Sequence, residues 1–166
     1  KMRDGQNSPG LISASVELPQ PHYPNQVKNG LADFLKLAKN SKEPYLANFI
    51  TDIVDEKNGA KNGRSLISAI FGNSPFLTRS ILQNPSFFHR ILTNSTDQAL
   101  EALYSELEKN AGTISNSADL MAILRNTKAQ LSLLVAIADI TGFWSLDKVT
   151  QTLSEFAAIS LNLCLS

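Results

Sequence analysis

The stretch KNGAKNGRS, Lys57 to Ser65, gathers glycines, basic residues and a hydroxyl. With such ingredients a loop at a helix N-terminus cradles phosphate. The spacing does not serve that chemistry. A P-loop sets four residues between its glycines and follows the second with Lys. Here Gly59 and Gly63 enclose three, Arg64 stands where Lys is required, and no strand pattern precedes them. Asn-Gly pairs are ordinary turn formers, so the stretch is read as a loop. His22 and His89 each lack a second histidine or an acid at metal-ligand spacing. His89, Arg79 and Arg90 make a small basic patch that is read as solvated. No nucleophile stands beside a base, and the residues alone describe no complete active site.

Four other positions stand out. Asp139 lies in LSLLVAIADI, the most apolar part of a long helical run. A carboxylate buried there is costly without a partner, so it is expected to accept from a backbone or indole N–H, with Trp144 as the candidate. Arg125 and Lys128 lie one turn apart on the same run and are positioned to meet a neighbouring domain or solvent.

Composition narrows the setting. The chain has 166 residues, the size of one ordinary domain, with 43% hydrophobic and 18% charged residues. Lys plus Arg equals Asp plus Glu, at 15 each, so no overall field favours nucleic acid or an anionic membrane. PSFFHRIL is too apolar for the recognition helix of a DNA reader. The single Cys164 excludes an internal disulfide, fits a reducing cytoplasm and is expected to be a small core residue. No apolar stretch of secretory length follows the basic Lys1 to Arg3. Leu131 to Ile140 is about half a membrane span, so no crossing is expected.

The elements that must position these residues are helices. Residues 1–29 hold four of the seven prolines and form an extended, proline-rich lead-in. Within it, alternation from Ile12 to Leu18 allows one short strand. From Gly30 the apolar residues recur at helical spacing. Ser41 is expected to cap the helix containing Leu46, Phe49, Ile50 and Ile53. Gly72 is expected to end the next in a left-handed conformation. In FGNSPFLTRSILQNPSFFHRIL, Ser74-Pro75 and Asn84-Pro85 each pair a capping side chain with proline at the first helical position. Two short helices turning a corner follow. Ser95 and Gln98 form a capping box, Ser117 and Ser145 cap two later helices, and the run from Ala118 to Thr141 is about 36 Å long. The whole is all-α: an irregular bundle of about seven helices with one long central helix. The chain stops inside an apolar helix, so residue 166 reads as an artificial or partial boundary.

ISAIFGNSPFLTRSILQNPSFFHRIL, followed by LMAILRNTKAQLSLLVAIADITGFWSLDKVTQTLSEFA, resembles the N-terminal region of the bifunctional glutamine synthetase adenylyltransferase/adenylyl-removing enzymes. The likeness covers about Leu66 to Ala158. The family carries a denser basic cluster on the long helix, of which Arg125 and Lys128 remain. The resemblance implies a cytoplasmic enzyme with two nucleotidyltransferase-like halves, one adding AMP from ATP to glutamine synthetase and one removing it by phosphorolysis, under control of the PII signalling protein. Residues 30–166 would be a helical domain leading into the removing half and ending before its catalytic core. The family's metal-holding Asp-x-Asp occurs nowhere in this chain. Paired carboxylates place magnesium against phosphate oxygens, so the resemblance assigns no catalytic, cofactor or metal residue here. Mg and ATP are implied for the parent enzyme alone. Expected partners are the remainder of the same enzyme, glutamine synthetase and PII, with no nucleic acid and no membrane. The rival reading is a free-standing helical module that binds a partner helix.

Overall fold

A computed structural model describes residues 17–57, 61–114 and 116–165. Among them every regular element is a helix, eight in all: α1 (Pro24–Asn40), α2 (Pro44–Val54), α3 (Lys61–Asn73), α4 (Pro75–Gln83), α5 (Pro85–Thr93), α6 (Thr96–Ala111), α7 (Ser117–Ile140) and α8 (Leu146–Leu165). The all-α expectation holds. The strand considered over Ile12 to Leu18 falls almost wholly outside the described residues. The chain divides into two compact units between Thr96 and Asp97. Helix begins earlier than expected, at Pro24.

Prolines start four of the helices. Pro24, Pro44, Pro75 and Pro85 each occupy a first-turn position, where a missing N–H forfeits no helical bond. Ser74 accepts a hydrogen bond from the Leu77 amide at 3.2 Å, as expected of a cap. Asn84 takes the same place before α5 but makes no cap bond. Its Nδ2 donates instead to the Ser80 carbonyl at 3.1 Å and closes α4. The expected Ser41 cap is also corrected. Glu43 is the residue before α2, and Ser41 Oγ accepts from the Glu43 amide at 3.1 Å in the preceding turn. Asn116, not Ser117, caps α7, accepting from the Asp119 amide at 2.9 Å. Ser145 accepts from Lys148 at 3.3 Å as expected.

The first unit closes around a run of aromatic rings. Phe34 of α1 is fully buried and meets Phe71 of α3 and Phe88 of α5 edge-on, each with centroids 6.1 Å apart. Phe49 of α2 meets Phe88 at 6.2 Å. Edge-to-face pairing adds to the burial of the rings. α1 reaches Phe71 because residue 30 is glycine: a Cβ there would stand 2.5 Å from the Phe71 ring.

Gly72 does not end its helix. It lies within α3 at an ordinary φ, and a Cβ would fall 2.5 Å from Pro21 Cβ and 2.9 Å from Pro21 Cα. The lead-in is laid against this point. Tyr23 N donates to the Gly72 carbonyl and His22 N to Asn73 Oδ1, both at 3.0 Å. Asn73 Nδ2 returns a bond to the Gln20 carbonyl at 2.9 Å. The two donors left between prolines are thus both used.

In the second unit α6 buries Ala99, Leu100, Leu103 and Leu107 and turns Glu101, Glu106 and Glu108 outward. Tyr104 Oη donates to the Thr152 carbonyl of α8 at 3.1 Å, and Lys148 lies 3.5 Å from Asp97. α7, the longest helix at 24 residues, buries Leu124, Leu131, Leu133, Leu134, Ile137 and Ala138. Gly142, at φ 69°, turns the chain after it. By length and composition α7 as a whole suffices to cross a membrane, more than its apolar half suggested. α8 buries only Thr152, and Cys164, expected in the core, is exposed.

Replacing Gly72 by Ala gains up to about 1 kcal/mol of helix propensity but forces a clash with backbone at Pro21. We expect net destabilisation of about 1–3 kcal/mol in urea unfolding. Phe34→Ala is expected to cost about 3–5 kcal/mol. A Gly72→Ala chain as stable as the parent would show that the lead-in is not docked there.

Candidate functional site

α7 and α8 are joined by the short turn at Thr141–Ser145 and form an αα-hairpin. Met121, Leu124, Arg125, Lys128 and Leu131 of α7 face Leu153, Phe156, Ala157, Ser160 and Cys164 of α8 across a groove of about 480 Å³. The hairpin pairs the start of one helix with the end of the other, so residues far apart in sequence share one cleft. Its lining is overwhelmingly apolar. Arg125 and Lys128 are both exposed and lie along it. The two cations expected to meet a neighbouring domain or solvent are therefore brought together, at the edge of an apolar surface.

Asp139 is not the buried acid expected. It is exposed, because its neighbours Ile137 and Ala138 take the inward positions of that turn and a one-residue step on a helix rotates the side chain by about 100°. Trp144 is buried, and its Nε1 has no hydrogen-bond partner among the described residues. The proposed Asp139–Trp144 bond is not formed. Lys148 instead lies over the indole, 5.6 Å from the ring centroid.

The phosphate-like loop is accounted for by its own neighbours. Lys57 Nζ binds Asp55 at 2.8 Å, and the bond holds the lysine pKa above its ordinary value. Arg64 Nη1 donates to the Val54 carbonyl at 3.1 Å. Gly63 is buried within α3. Residues 58–60, which include Gly59, lie outside the described residues. A second, smaller cleft of about 270 Å³ lies between α6 and α7. It offers Glu106 with the amides Asn110, Asn126 and Gln130, a set that contains no nucleophile and base in concert.

Residues 64–166 match the family model described as glutamate-ammonia ligase adenylyltransferase. The chain belongs to that family. It is similar to the bifunctional glutamine synthetase adenylyltransferase/adenylyl-removing enzyme of Rhodopseudomonas palustris strain HaA2, at 30% identity over 98% of this chain and 16% of the relative. The enzyme of the same name from Bradyrhizobium sp. strain ORS 278 is 28% identical over 98% and 15%. That of Brucella suis biovar 1 strain 1330 is 27% identical over 82% and 13%. The chain thus spans about one-sixth of the length of these relatives. No solved structure matches it.

Among the described residues no group of three or more His, Cys, Asp or Glu is placed to hold a metal. His89, the other titratable candidate in this adenylyltransferase segment, is absorbed by packing. Its ring is 4.6 Å from Phe49 and 5.2 Å from Tyr45, both edge-on, and burial lowers its pKa from the ordinary 6.5. Arg90 lies over Phe87 at 5.9 Å.

The fold therefore favours neutral His89. The unfolded chain binds this proton more readily, so the contribution of His89 is intact above pH 6.5 and is lost as pH falls through the depressed folded value. Urea unfolding of the parent and His89→Phe should diverge between pH 8 and pH 5, the variant losing less stability on acidification. Equal losses would place the imidazole in water.

Proposed function

We propose that this chain is the N-terminal helical scaffold of the adenylyl-removing half of a glutamine synthetase adenylyltransferase. In this reading it supports a nucleotidyltransferase core that lies elsewhere in the polypeptide. The observation that carries the proposal is the pair of coverages: relatives of that name align with 98% of the chain but with only 16% of their own length. The parent adds and removes AMP on glutamine synthetase in the cytoplasm, answering to PII. Magnesium and ATP serve its catalytic core and are not held by these residues.

The chemistry supports this division of labour. Nucleotidyl transfer needs carboxylates that grip a divalent cation beside the phosphates, and the sequence contains no Asp-x-Asp. His89 is spent on aromatic packing. A catalytic core depends on a surrounding support to hold reacting groups in register.

The isolated chain, with its helical content verified by circular dichroism, should form no ADP from adenylylated glutamine synthetase and phosphate. It should likewise attach no AMP from ATP and magnesium. Turnover in either direction would refute the scaffold reading.

A further inference from the structure

We propose that the groove between α7 and α8 seats an amphipathic helix flanked by acidic side chains, supplied by the part of the adenylyltransferase polypeptide outside these 166 residues. The inference rests on the scaffold reading above and names the surface through which the scaffold acts.

α8 is twenty residues long and buries one of them, Thr152. Met121 and Leu153, which line the groove from its two sides, are 47% and 46% exposed. An apolar helix face left in water on this scale marks an interaction surface. The shape of the groove selects what covers it. Two helices packed side by side present a trough into which a third can lay its apolar stripe, with anchors at i, i+3, i+4 and i+7. From Met121 to Leu131 the α7 wall runs about 15 Å at 1.5 Å per residue, enough for an occupant of about three turns.

Charge selects further. Arg125 and Lys128 stand along the groove, neither forms an ion pair with an acid among the described residues, and no acidic side chain lines it. Carboxylates on the flank of the incoming helix would complement them. A second copy of this chain answers that pattern poorly. α6, its glutamate-rich helix, has its apolar face already buried, and the exposed apolar stretch of α8 from Leu153 to Leu165 carries one acid, Glu155. The remaining five-sixths of a relative's length, tethered to the groove, meets it at high effective concentration.

The test uses the intact adenylyltransferase that carries this segment. A carbodiimide joins a lysine amine directly to a carboxylate in contact with it. Treated enzyme should yield, by mass spectrometry, a cross-link from Lys128 to an Asp or Glu outside residues 1–166, absent from Lys128→Gln. Cys164, at the same groove, should react with maleimide at least about tenfold more slowly in the native enzyme than after denaturation. Phe156→Asp should abolish that difference; if this variant does not fold, Arg125→Glu with Lys128→Glu at exposed positions should weaken the protection instead. Cross-links confined to residues 1–166, a covalent Lys128 dimer, or a Cys164 as reactive natively as when denatured would overturn the proposal. So would protection of Cys164 that appears only with phosphatidylglycerol vesicles. If such an enzyme still transfers AMP to and from glutamine synthetase, the groove assignment alone falls. If it transfers none, the adenylyltransferase reading falls, whatever Lys128 contacts.

Discussion

α2, α4 and α5, with eleven, nine and nine residues, are too short to be stable alone in water. The first unit therefore depends on a shared centre, and Phe34 supplies it. Its ring touches one from α3 and one from α5, and Phe49 extends the run to α2. This arrangement works only if α1 comes close to α3, which requires that residue 30 carry no Cβ. The two corners in the sequence around Pro75 and Pro85 follow from the same need. Each restarts a helix at a new angle, so that Leu77, Ile81, Phe87 and Phe88 all turn inward.

The second unit is organised differently. α7 is buried along much of its length, while α8, joined to it by a tight turn, keeps most of its apolar side chains in water. A soluble fold gains stability from each such surface it covers. The contrast between a closed first unit and an open second one makes the hairpin the natural point of attachment to further protein. An open hairpin suits the proposed part in a much longer enzyme.

Local signals in the sequence were legible and distant ones were not. Proline at a helix start and the Ser74 and Ser145 caps each involve residues within one turn of one another, and turn chemistry reveals them. Gly30 and Gly72 were misread as a start and a stop because their purpose is clearance from Phe71 and Pro21, partners some forty to fifty residues away. Asp139 was misplaced because a helix apolar on nearly every side hides which face points inward. Arg125 and Lys128 were recognised as an outward pair. The groove they border was not, because apolar composition in α8 says that burial is favourable without saying whether a partner is present. The resemblance to the adenylyltransferases survived all of these local errors, since it rests on the order of motifs along the chain.

The central claim is that these helices form a support whose α7–α8 hairpin is covered by further polypeptide of the same enzyme. Amide hydrogen exchange, measured residue by residue in the isolated chain and in the intact adenylyltransferase, addresses it most directly. Amides of α1 to α5 should exchange alike in both, while those of α8 should slow markedly in the intact enzyme only. Equal exchange of α8 in the two would contradict the account.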